Sequence, residues 1–491
     1  MSSKADESLL VQPIDSPASG EHKFSPLTLT AMVVGSMVGA GIFSLPATFG
    51  RATGPFGALI AWVIAGGGML MLAFVFQILA QRRPDLDAGI FAYAKAGFGN
   101  YLGFAAAFGF WFGTCLGNIT YFILIMSTLG RFFPVFGDGN TLLATILSSV
   151  ILWSVHSMIL RGVKEAATVN TIVTIAKIVP IAIFIILMIV FFDPGKFAAN
   201  FWGGGAYSFG DVFGQVRGTM LVTVFVFIGI EGASVYSRYA RRREDVGIAT
   251  VAGFLGVLCL LVMVTLLPYG MLDREQLAAM RQPSMAGVLE AAVGTWGGIF
   301  ISLGLLVSVL GAYLAWSLLA AEVLFIAAKD GTVLKGLAKE NANQVPSACL
   351  WLTNIIVQLL LILTMFAREA FNLALALTSA KTLIPYVLAA GFALKLAHSG
   401  QTYETRPEDR RGDLICAALA TVYTVFMLFA GGLKYVLLSA IFFAPGSVLF
   451  ILARREQHAR LFTPVEWVLF LAVIAAAVYG VYGLATGTIT I

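Results

Sequence analysis

Apolar residues in this chain come in long blocks, separated by short polar segments that carry most of the charge. A helix rises ~1.5 Å per residue and the hydrocarbon layer of a bilayer is ~30 Å thick, so about 20 apolar residues make one crossing. The blocks predict spanning helices at 27–50, 57–80, 99–129, 142–160, 167–192, 212–236, 247–269, 297–328, 347–366, 371–395, 413–430, 434–452 and 465–485, thirteen in all. The core of the last, VEWVLFLAVIAAAVYGVYGLA, is long enough to cross.

Composition fixes the class. Of 491 residues 59% are hydrophobic and 12% charged, which no soluble core accommodates. Cations retained on the cytoplasmic side then orient the chain. With the N-terminus inside, eight of the 31 Lys and Arg fall outside (Arg51, Arg131, Lys196, Arg217, Arg274, Arg281, Arg368 and Lys434). Lys177 and Lys381 lie within spans, and the remaining 21, including Arg82, Arg83 and the run Arg238 to Arg243, fall inside. Residues 1–26 read as a disordered cytoplasmic lead, with the first span as the insertion signal. The net charge of +5 sits in inner loops, where it faces anionic lipid, and implies no nucleic-acid partner.

Chemistry of the enzymatic kind has no foothold in the pattern. Cys115, Cys259, Cys349 and Cys416 lie in apolar stretches without ligand spacing, and the four His, at 22, 156, 398 and 458, are scattered. No metal, cofactor or catalytic constellation is expected.

Two glycine clusters sit at mid-span and five spans apart: GSMVGAGIF (35–43) in span one and FIGIEGASV (227–235) in span six. Glycine weakens a helix, and non-helical backbone at that depth is tolerated only where it lines a cavity or is buried in protein. Paired interruptions point to a transporter built from an inverted repeat. The competing reading is close helix packing through small residues, which Gly35 and Gly39 also fit.

GAGIF and FIGIEGASV resemble signatures of the amino acid, polyamine and organocation transporter superfamily, nearest to its basic amino acid antiporters of the arginine/ornithine type. Further matching segments are RRPDLDAGIFAYAKAGFG, CLGN (115–118), WSLLAAEVLFIAAKDG (316–331) and TLIPY (382–386). The resemblance implies an all-α polytopic fold with a ten-helix core at 27–395, made of inverted five-helix repeats at 27–192 and 212–395 with helices one and six broken. Helices eleven and twelve follow at 413–452, and helix thirteen with a short tail at 461–491. It implies sodium-independent alternating access in the plasma or bacterial inner membrane, with homodimers known among relatives. A proton-coupled permease for histidine, lysine or a neutral amino acid on the same scaffold is the alternative.

A zwitterion inside protein needs donors for its carboxylate and acceptors for its ammonium, and a cationic side chain needs a π face or an acid. Free N–H groups at Ala40, Gly41 and Ile42 are expected to hold the carboxylate, and free carbonyls near Met37 and Ile228 the ammonium. The resemblance carries the side-chain site to Asn118, Phe225, Trp316 and Thr378. Phe225 stands where guanidinium-binding members carry Trp.

Four ionisable residues are candidates for coupling or gating. Glu231 is a mid-membrane acid, read either as functional or as a structural group bonded to opened backbone. Lys177 in span five resembles the lysine that replaces sodium in related carriers by meeting the end of the first half-helix. Snorkelling to an interface is its alternative. Glu322 is expected near the cytoplasmic mouth, as a gate or a packing anchor. Lys381, three residues after Thr378, is expected on the same helical face, where it would repel a cationic side chain.

Overall fold

A computed structural model describes residues 26–86, 90–162, 167–204, 208–231, 243–367, 369–404 and 406–489. The N-terminal lead, the end of the second glycine cluster from Gly232 and the cations from Arg238 to Arg242 lie outside these. Among the described residues every regular element is helical. In hydrocarbon each backbone N–H and C=O must be bonded within the protein, and only helices do this within one segment.

A helix occupies each predicted span. Ten are long and apolar enough to cross as single helices: Pro55–Arg82, Asn100–Leu129, Leu142–Leu160, Gly247–Gly270, Thr295–Lys329, Ser347–Thr364, Ala370–Ser399, Asp409–Gly431, Leu433–Glu456 and Pro464–Ala485. Span five, Ala167–Val190, adds an eleventh when its part Ala176–Val190 is taken with Pro194–Asn200, from which that part is bent by 100°. Span one falls short because it is interrupted, and the 19-residue helix of span six because Asp211, Gln215 and Arg217 make its first half polar. Span one runs Pro26–Met37, opens at Val38 and Gly39, and resumes as a 3₁₀ turn, Ala40–Ser44, that continues into Leu45–Ala52. Span six runs Phe209–Phe227 and leaves the helix in a turn at 228–231.

Span three is central. Its apolar window is 100% buried, against 17% for span thirteen, and it packs along spans eight and ten. Four short helices fall where only loops are expected from the pattern: Ile90–Phe98, Pro194–Asn200, Arg274–Ala279 and Ser284–Val293. Ile90–Phe98 packs on spans three and ten and is pinned by two lysines: Lys95 pairs with Asp330 at 2.6 Å, and Lys395 donates to the Gly97 carbonyl at 2.8 Å.

Span thirteen is tied to span three at one point. The Glu466 carboxylate accepts from the Tyr101 N–H at 2.8 Å and from the Thr463 N–H at 2.8 Å, so one side chain caps its own helix and the start of span three.

Candidate functional site

The interruption of span one, the middle of span three, the last turn of Phe209–Phe227, and the middles of spans eight and ten surround one cavity with about 580 Å³ of space free of protein atoms. Met37, Ala40, Gly41, Ile42, Asn118, Phe225, Ile228, Trp316 and Thr378 all line it, so the structure brings together the nine residues expected to bind substrate. Ser36, Phe110, Thr114, Tyr121 and Thr382 line it too and were not expected.

The backbone opens where span one meets span six. Ser36 Oγ donates to the Gly229 carbonyl at 3.1 Å, and Gly229, at φ +110°, lies so close to span one that a Cβ would sit 2.4 Å from the Ser36 carbonyl. Only glycine meets both demands. Gly41 is similarly enclosed, with a Cβ there 2.8 Å from the Phe225 ring. The ring therefore lies directly over the restart of span one.

No charged side chain is among the described lining residues. Phe110, Tyr121, Phe225 and Trp316 supply aromatic surface instead, and a cation within ~6 Å of such a face gains ~0.5–2 kcal/mol. Asn118 is fully buried; its Nδ2 donates to Ser317 Oγ at 3.5 Å, while Oδ1 has no partner. Thr378 and Thr382 bond back to their own helix, at 2.7 Å to the Ala374 carbonyl and 3.0 Å to the Thr378 carbonyl.

Three of the four ionisable candidates are buried or half-buried beside this cavity without lining it. Lys177 Nζ donates to the Gly35 carbonyl at 3.2 Å, meeting the C-terminal end of the first half-helix of span one. Glu231 Oε2 accepts from the Gly229 N–H at 3.1 Å and from the Tyr386 hydroxyl at 2.6 Å. One chain of contacts thus runs from span five through spans one and six to span ten: Lys177, Gly35, Ser36, Gly229, Glu231, Tyr386.

Lys381 does not line the cavity. Its ammonium turns to span twelve, 2.8 Å from the Ser439 carbonyl and 4.3–5.3 Å from the ring centres of Phe443, Phe112 and Phe442. Three residues along a helix leave side chains about 60° apart, so Lys381 starts on the same flank as Thr378 and its long side chain carries the ammonium past the cavity to span twelve. Glu322 is exposed on span eight and makes no hydrogen bond or ion pair among the described residues.

Sequence comparison agrees with this architecture. The profile described as amino acid permease matches residues 24–434. The chain is 50% identical over 469 residues to the arginine/ornithine antiporter of Pseudomonas aeruginosa, covering 94% of this chain and 97% of that one. It is 40% identical to the L-lysine transport protein of Corynebacterium glutamicum over 96% of this chain and 97% of that one. It is 39% identical to the arginine/agmatine antiporter of Chlamydia pneumoniae, covering 89% and 91%.

Proposed function

Because the chain belongs to the amino acid permease family, we propose that it exchanges basic amino acids across the bacterial inner membrane, arginine against ornithine, by alternating access and without sodium. The observation that carries this reading is the cavity at the joined interruptions of spans one and six, which offers backbone to a zwitterion and aromatic faces to a cation. The names of the relatives support the substrate class, since each takes a basic amino acid. The distribution of Lys and Arg supports a cytoplasmic N-terminus.

Each part of the substrate finds a counterpart. N–H groups where span one restarts, at Ala40, Gly41 and Ile42, receive the carboxylate, and the carbonyls near Met37 and Ile228 receive the α-ammonium. The side chain extends between spans three, six, eight and ten to Asn118, Phe225, Trp316 and Thr378. Lys177 places its ammonium at the end of the first half-helix, where a soluble carrier ion would otherwise neutralise the carbonyls. Glu231 and Tyr386 link the interruption of span six to span ten, so motion of either reaches the other. The two repeats of the core, 27–192 and 212–395, supply one interrupted span each.

Counterflow in proteoliposomes tests the proposal. Labelled arginine enters vesicles preloaded with ornithine in sodium-free buffer at least tenfold faster than empty vesicles. Equal uptake into empty vesicles removes the exchange mechanism, and no inhibition by basic amino acids removes the substrate class.

A further inference from the structure

Tyr121 projects from span three one turn beyond Asn118 and lines the cavity, with 7% of its surface exposed. Its hydroxyl faces the gap in span one: a Cβ on Gly39 would lie 3.6 Å from it. The other hydroxyls of the lining are engaged within the protein. Thr114 donates to the Phe110 carbonyl, Thr378 and Thr382 to their own helix, and Ser36 to the carbonyls of Val33 and Gly229. Among the hydroxyls of the described lining residues only that of Tyr121 makes no hydrogen bond, although the ring is more than nine-tenths buried.

The same gap ends where helical backbone restarts, and the first N–H groups of a helix have no partner within it. The 3₁₀ turn at Ala40–Ser44 runs straight into Leu45–Ala52, so these N–H groups head a continuous helical stretch. A free O–H and the free N–H groups that head this stretch face one gap and together form a set of donors for an anion. The acceptor that a basic amino acid brings and its decarboxylated amine lacks is the α-carboxylate.

We propose that Tyr121 Oη donates a hydrogen bond to the substrate α-carboxylate and thereby makes the site prefer amino acids to the corresponding amines. The inference rests on the amino acid exchange proposed above. A hydroxyl-to-carboxylate bond in a desolvated site is charge-assisted, and an amine that enters leaves the O–H and N–H groups unpaired.

Inhibition of arginine counterflow by unlabelled arginine, ornithine, agmatine and argininamide, in wild type and Tyr121→Phe, tests this. Phenylalanine keeps the ring and removes only the hydroxyl. Half-inhibitory concentrations of arginine and ornithine rise about tenfold, while those of agmatine and argininamide stay within about twofold. A parallel rise for all four, or no change for any, overturns the proposal. Wild-type counterflow is read first: if arginine drives none, the functional reading fails by itself. The comparison is then made between whichever amino acid does drive counterflow and its own amide, where the same selective loss is expected.

Discussion

Ser36 and Gly229, 193 positions apart in the chain, are joined by a 3.1 Å hydrogen bond that ties the interruption of span one to that of span six. The two breaks are one structural object. Gly229→Ala puts a Cβ against the Ser36 carbonyl at a φ of +110°, and a residue forced into such a conformation costs about 1–3 kcal/mol before the clash is counted. Thermal unfolding of purified carrier in detergent is expected to show a clear drop in midpoint for Gly229→Ala. Ser36→Ala, which loses one bond of about 1 kcal/mol, shows a smaller one.

Glu231 and Tyr386 act as a pair. Tyr386→Phe removes the 2.6 Å bond to Glu231, and Glu231→Gln replaces the acceptor by an amide. Each is expected to slow exchange, and the double variant to be no slower than the worse single one. From kcat/KM for counterflow, the coupling comes to about 1–3 kcal/mol. Additive losses would mean that the two groups act separately.

Lys177→Met keeps the length of the side chain and removes the donor to the Gly35 carbonyl. Exchange is expected to fall about tenfold or more, as for a lost charged hydrogen bond. Wild-type rates are expected to be equal in sodium and choline buffers. A variant that exchanges at the wild-type rate would make Lys177 a bystander.

Glu466→Ala leaves the N–H groups of Tyr101 and Thr463 without their acceptor. Loss of such a cap costs about 0.5–2 kcal/mol. The unfolding midpoint falls while the KM for arginine is unchanged, because Glu466 bonds the start of span three and Asn118 lies at its middle.

How much of this was legible in the sequence depended on what each signal measures. Apolar length reports crossings, and helices occupy all thirteen predicted segments. The same measure is blind to Ile90–Phe98, Arg274–Ala279 and Ser284–Val293, which are too short to cross and lie among polar segments. Glycine clusters located the breaks, since a helix that must open needs residues without a Cβ. Tyr121 and Tyr386 were missed because spans three and ten are buried on nearly every side, leaving no apolar-to-polar contrast to mark the cavity face. Helical spacing from Asn118 would have found Thr114 and Tyr121 at four before and three after. Three-residue spacing puts Lys381 beside Thr378 but does not give the direction of its ammonium; the Ser439 carbonyl and three phenylalanine rings that hold it come from spans three and twelve, which no local pattern reveals.

The ammonium of Lys177 is bound to the chain by covalent bonds, and this has a thermodynamic consequence. A dissolved ion that enters on one side and leaves on the other transfers the free energy of its own gradient to the cargo. A tethered cation returns to where it began in every cycle and transfers none. Net movement is then governed by the concentration ratios of the exchanged molecules themselves, and a cell that stops producing the outgoing one brings import to a halt.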